Sequence, residues 1–233
     1  MNTPSIYSLG DTAAVVEFGG DISAATMRRI GALGQQLATQ PLASLRELVP
    51  AYTTLTVFYD PACAYEQVAA WLRAGLVACE TADAALAAEP QPTIVEIPVC
   101  YGGEYGPDLA AVAAHTGLAA SEVVARHAAP TYLVHLLGFL PGFPYLGGLD
   151  AQLATPRRAS PRALVPAGAV GIAGAQTGIY PLASPGGWQL IGRTPLPLFN
   201  PAWPEPTRLR AGQQLRFVPI SAAEFLALSE HEQ

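Results

Sequence analysis

Between residues 138 and 200 the chain reads GFLPGFPYLGGLD, then TPRRASPRALVPAG, then VGIAGAQTGIYPLASPGGWQLIGRTPLPLFN. Glycine permits positive φ and close backbone approach, while proline fixes φ and removes a donor, so a run dense in both specifies particular turns. A flexible linker would lack large apolar side chains. Here Phe139, Phe143, Tyr145, Leu146, Val170, Ile172, Ile179, Tyr180, Trp188 and Ile191 recur between the turns. That pattern predicts short strands joined by fixed loops, and many such strands at close spacing predict a barrel or sandwich.

Charge sharpens the reading. Asp150 is the only acid from 131 to 200, against Arg157, Arg158, Arg162 and Arg193, in a protein whose net charge is −6. Guanidinium groups pair with carboxylate or phosphate, and glycine-lined amides add anion-binding groups, so a small anionic metabolite is the expected ligand. The plainer alternative is that the arginines tie loops to carbonyl groups. Gln176, Thr177 and Tyr180, beside Gly174 and Gly178, offer neutral hydrogen bonds that either orient a carbonyl or fasten a turn. Phe139, Pro141, Phe143, Tyr145 and Trp188 are expected in a pocket wall or an interface. Ser184 sits in SPGG rather than GxSxG, without the nucleophile-elbow pattern.

The same composition excludes several functions. An acidic balance argues against non-specific binding to nucleic acid or an anionic membrane surface. Lysine is absent, which removes a phosphate-cradling lysine, a Schiff base, a lysine base and a biotinylated carrier lysine from this chain. Cys63, Cys79 and Cys100 are widely spaced and have no nearby histidine, so neither a disulfide framework nor a zinc site is expected. No apolar run approaches a membrane span and no basic-then-apolar leader opens the chain, so a soluble cytoplasmic protein is expected.

The first part of the chain reads as a small α+β domain. Alternation over 5–18 around Gly10 and Asp11 predicts a hairpin, 22–40 an amphipathic helix, 45–59 extended structure interrupted at Pro50, and 65–79 a second helix. This ββαβα-like order places both helices on one sheet face. The Ala-rich segment 80–93, ending in Pro90 and Pro92, marks a boundary, giving domains 1–89 and 90–233. Beyond it a strand over 94–99 is expected, then a helix to His115 capped by Asp108 and another through His127 capped by Ser121. Strands resume from 131, with a late strand at 214–220, a helix at 221–229 and His231 in the tail. The helix pair lacks a basic recognition surface, against DNA binding. His115 and His127 read as structural or surface residues, and His135 as core or interface.

GFLPGFPYLGGLD, PRRASPRALVPAG, VGIAGAQTGIYP and SPGGWQLIGRTP, in this order, closely resemble the bacterial family that contains the B subunit of prokaryotic 5-oxoprolinase, formerly labelled allophanate hydrolase subunit 1. LGDTAAVVEFG and VPAYTTLTVFYDP are similar to the same family. A sporulation histidine-kinase inhibitor belongs to it, and one half of the carboxyltransferase region of urea carboxylase is similar. The resemblance implies a small N-terminal α/β sandwich followed by a cyclophilin-like β-barrel. It implies ATP-dependent opening of the 5-oxoproline lactam to glutamate, with separate A and C subunits and with ATP and magnesium bound in the complex. This chain would then be inactive alone. The residues themselves are compatible with that arrangement, since guanidinium groups at Arg157, Arg158 and Arg162 are suited to hold a phosphate or the substrate carboxylate. Two other roles are open at this level. One is inhibition of a sensor histidine kinase; the other is a biotin-dependent urea or amide carboxyltransferase, whose biotin carrier must lie on another chain.

Overall fold

The computed structural model describes residues 3–20, 22–82 and 94–231. The chain divides into two compact units, 1–92 and 93–233. Most of the Ala-rich stretch expected to separate two domains, from 83 to 93, lies outside the described residues.

The first unit runs β1 (Ser5–Ser8), β2 (Ala13–Glu17), α1 (Ala24–Thr39), β3 (Leu45–Ala51), β4 (Thr54–Tyr59) and α2 (Tyr65–Ala82). Its strands form one antiparallel sheet in the order β1-β2-β4-β3. Register pairs Ala14 with Val57 and Val16 with Leu55, and all four side chains are buried. Both helices pack on the sheet and on each other. The Ser23 side chain accepts the Thr26 amide at 3.1 Å and caps α1. Met27, Ile30, Leu33 and Leu37 recur every three or four residues along that helix and are buried, each contributing roughly 1.5–3 kcal/mol relative to exposure.

The expected interruption at Pro50 is misplaced. Pro50 stays within β3, opposite Leu55, and the chain turns two residues later, where Tyr52 takes φ +35°. β3 is an edge strand, where a residue without an N–H is tolerated. The unit is therefore ββαββα. Helix α2 also continues past the expected end at Cys79, to Ala82.

The second unit runs β5 (Val95–Tyr101), α3 (Leu109–Thr116), α4 (Ala120–Ala128), β6 (Tyr132–Leu137), β7 (Pro144–Gly147), β8 (Arg162–Val165), β9 (Ala169–Ala173), β10 (Gln176–Ile179), β11 (Ser184–Gly186), β12 (Gln189–Arg193), β13 (Gln214–Ile220) and α5 (Ala222–His231). Seven strands close a barrel in the order β10-β7-β6-β13-β5-β12-β9, and β8 and β11 form a separate two-stranded sheet. This is the closed-barrel member of the barrel-or-sandwich pair the strand spacing left open. Within the barrel β5 and β13 pair in parallel. Alternate side chains point inward, and Ile97, Val99, Val134, Leu146, Val170, Ile172, Leu215 and Phe217 form one core that Val112 of α3 and Val123 of α4 complete.

Ser121 does not cap α4; Ala119 occupies that position without a side-chain cap, and Ser121 lies in the first turn. The terminal helix α5 is fixed by a reciprocal pair in which the Glu224 amide donates to Ser221 Oγ at 3.2 Å and the Ser221 amide donates to Glu224 Oε2 at 2.7 Å. It runs to His231, past the expected end at 229. Among the described residues, no helix is long and apolar enough to cross a membrane.

Candidate functional site

Two of the motifs fold against each other. The Arg158 amide donates to Gly187 O at 2.7 Å, Gln189 Nε2 donates to Pro156 O at 3.0 Å, and β8 pairs with β11 through Gly186 opposite Arg162. The arginine loop thereby lies along the SPGGWQ segment.

An acid from outside the stretch meets these arginines. Asp108 stands at the N-cap position of α3 but makes no capping hydrogen bond. Its carboxylate accepts from Arg162 twice, Nη1 to Oδ2 and Nη2 to Oδ1, each at 2.8 Å. It also accepts from Arg158 Nη1 at 3.0 Å and from the Leu190 amide at 2.7 Å. Asp108 is only 4% exposed. Burial alone would raise its pKa, but the Arg162 hydrogen bonds, the Leu190 amide and both guanidinium charges outweigh that and hold the carboxyl below its ordinary range. Arg158 and Arg162 therefore do not present free guanidinium groups to an incoming phosphate or carboxylate, as the sequence led one to expect. They join α3, the arginine loop and β12, and of the three clustered arginines the exposed Arg157 alone stays clear of Asp108.

Beside this network lies a second core of Phe143, Val165, Ala169, Ala173, Tyr180, Trp188 and Leu190, with Tyr145 packed against it. Phe143 is the hub, edge-on to Phe139, Tyr180 and Trp188 at 5.6, 5.2 and 5.4 Å between centroids and tilted against Tyr145 at 4.9 Å. Phe143, Tyr180 and Trp188 are thus core. Tyr180 is buried, its hydroxyl accepts the Trp188 amide, and burial raises its pKa. Phe139 and Pro141 are exposed. Phe139 is 64% exposed and holds φ +68°, a conformation unfavourable for a side chain with a Cβ.

The remaining candidates separate. Gln176 begins β10, half-buried. Thr177 faces the barrel interior, where its hydroxyl donates to Gly171 O at 3.0 Å. With that one proton engaged, it can only accept from His127 Nε2 at 2.9 Å, so His127 Nδ1 is bare and accepts the Tyr101 hydroxyl at 2.8 Å. His127 is fully buried, stacks on Phe217 at 4.5 Å, and burial pushes its pKa down to about 3. The sequence placed this residue on a helix without seeing that α4 turns it into the core. His135 lies at the bulge between β6 and β7, buried, its ring against Gly147, where a Cβ would collide with it. Burial lowers its pKa as well.

Arg193 ends β12, away from the Asp108 network. Its Nε donates to Ala167 O at 2.8 Å, and the guanidinium lies over the Phe225 ring at 5.9 Å. Asp150, the acid that sequence reading set against the arginines, instead accepts from Arg126 at 3.0 Å and from the Gln152 amide at 2.9 Å.

The chain has no lysine, two arginines are engaged by Asp108, and among the described residues no group of three or more His, Cys, Asp or Glu is placed to hold a metal ion.

The family model of the carboxyltransferase domain, subdomains C and D, matches residues 4–209. The chain is 45% identical over 231 residues to the B subunit of 5-oxoprolinase from Bacillus subtilis (strain 168), covering 97% of this chain and 96% of that one. Among solved structures, TTHA0988 is similar with 38% identity and a TM-score of 0.75, over 91% of this chain and 40% of that one. This chain therefore spans about two fifths of that longer polypeptide. The Kluyveromyces lactis urea carboxylase has a TM-score of 0.71 at 19% identity, over 98% of this chain and 23% of its own length, a likeness of fold. Identity along nearly the full length of the Bacillus protein, on a carboxyltransferase-type barrel, places the chain in the family of 5-oxoprolinase B subunits.

Proposed function

We propose that this chain is the B component of a 5-oxoprolinase that opens 5-oxo-L-proline to L-glutamate with ATP, in complex with separate A and C subunits. The observation that carries the reading is identity along almost the whole chain to a protein named as the B subunit of 5-oxoprolinase. A subunit name implies an assembly, and the chemistry of this chain is consistent with one that acts only within it. Opening a lactam requires a proton acceptor and activation of a stable amide. The buried His127 is neutral and bonded at both ring nitrogens, Asp108 is held by two arginines, and Ser184 Oγ donates to Pro185 O at 3.2 Å. None of these groups is poised as base or nucleophile.

In this reading the A and C subunits supply the base, the ATP and its magnesium. This chain contributes binding surface. The exposed Phe139 and Pro141, beside the aromatic core, are suited to contact another subunit. Reconstitution from purified subunits tests the reading: ATP-dependent glutamate release requires this chain, and equal release without it overturns the assignment.

A further inference from the structure

A cavity of about 270 Å³ lies in the second unit between the end of β12 and helix α5. Such a volume is at or below the roughly 300–1,000 Å³ of pockets for drug-sized ligands, so it suits a small metabolite rather than a nucleotide. Its walls include Pro181, Pro195 and Pro197, with Phe225 and Ser229 supplied by α5. The Ser229 hydroxyl proton is spent on Phe225 O at 2.8 Å, and two further polar side chains stand among the walls. One is the Arg193 guanidinium, whose Nε is bonded to Ala167 O and which faces no carboxylate among the described residues. The other is Thr194, whose Oγ1 accepts the Leu196 amide at 3.3 Å and whose own hydroxyl proton is available to a ligand.

The backbone decides between a phosphate and a carboxylate. Phosphate sites rely on several free amides converging on the anion, but here the Gly168 amide donates to Tyr180 O at 2.7 Å and the Thr194 amide to Gly168 O at 2.9 Å. Proline offers no amide at all. Gly168, at φ +82°, is what allows the wall to close, because a Cβ there would come within 2.3 Å of Thr194 O. One guanidinium, one hydroxyl with a proton to give and otherwise largely apolar walls match a monoanion with an apolar body.

We infer that this cavity binds a small monocarboxylate through Arg193, which, resting on the function proposed above, is 5-oxo-L-proline. The terminal guanidinium nitrogens take the carboxylate, the ring methylenes lie against the prolines, and α5 forms the lip through Phe225 and Ser229.

Two arms test it separately from the functional reading. In the reconstituted complex, Arg193→Gln raises KM for 5-oxo-L-proline at least about tenfold with kcat within about threefold, the loss expected for one charge-assisted contact made in ground and transition states alike. Ser229→Phe, which fills the lip without touching Arg193, does the same, and Arg193→Lys recovers part of the loss. Unchanged KM in variants that melt like the wild type overturns the inference. In the second arm the wild-type full chain alone is titrated with 5-oxo-L-proline, acetate, inorganic phosphate and 2-pyrrolidone while the Arg193 Nε–H resonance is followed. A shift with both carboxylates and none with 2-pyrrolidone supports the pocket even if the complex proves to have no oxoprolinase activity. No shift with either carboxylate up to tens of millimolar, or a shift with inorganic phosphate alone, rejects it whatever the complex does.

Discussion

Asp108 shows what a single residue can hide from a sequence. Its cap-like position before a helix was legible, but its partners lie 50 and 54 residues away, and only folding turns the carboxylate from α3 toward Arg158 and Arg162. Asp108→Asn leaves those guanidinium groups facing each other without an anion. Both are partly solvated, with side chains 36% and 23% exposed, so the loss is about 2–3 kcal/mol rather than the roughly 3–5 kcal/mol of a fully buried pair. Urea unfolding checks it, and a change under about 0.5 kcal/mol contradicts the organising role. His127 was legible as helical but not as core, because histidine is found inside and outside proteins alike and the partners that satisfy its ring, Tyr101 and Thr177, lie 26 and 50 residues away. Its folded pKa is about 3 against an ordinary 6.5, so between those values the unfolded chain takes up a proton that the folded chain refuses. Stability therefore falls as pH drops through this window, by about 2 kcal/mol from pH 7.5 to pH 5. Asp108, depressed below an ordinary 3.8, adds its loss only at lower pH. Equilibrium unfolding at the two pH values, with His127→Gln showing a shallower slope, measures the effect; equal stability at both contradicts it.

At the scale of elements, the Gly- and Pro-rich stretch announced fixed turns and short strands because those residue types act locally on φ and on hydrogen bonding. The barrel's closure was not legible, since the β9–β10 and β6–β7 pairs are near in sequence but β5 beside β13 joins strands over a hundred residues apart. The helices of the first unit were readable from apolar spacing, whereas Pro50 misled because an edge strand accepts it. The loop between β6 and β7 combines both kinds of information. Phe139 takes a left-handed φ and leaves its ring largely in solvent, an arrangement of order 1 kcal/mol unfavourable in the isolated chain. Phe139→Gly relieves that conformation, so the free chain unfolds at equal or higher urea concentration. Assembly with the partner subunits weakens about tenfold or more, as for a central aromatic anchor. Titration of the labelled chain with its partners reads the second effect, and undiminished affinity means the loop is not a contact.

For the whole molecule, absence carried as much information as motif. The chain has no lysine, among the described residues no group of three or more His, Cys, Asp or Glu is placed to hold a metal ion, and what the second unit does hold is a closed barrel, an aromatic core and a cavity beside Arg193. In TTHA0988 the stretch similar to this chain makes up 40% of one polypeptide. The arginine cluster announced an anion site from sequence; the fold divides it, giving Arg158 and Arg162 to Asp108 and leaving Arg193 beside the cavity. That division could not be read from composition, because pairing depends on which strands neighbour each other. The decisive measurement is an omission series with this chain and its candidate A and C partners, following glutamate formed from 5-oxo-L-proline in the presence of ATP. Glutamate release at background without this chain, and restored on adding it back, is the predicted result; release that proceeds undiminished in its absence contradicts the account.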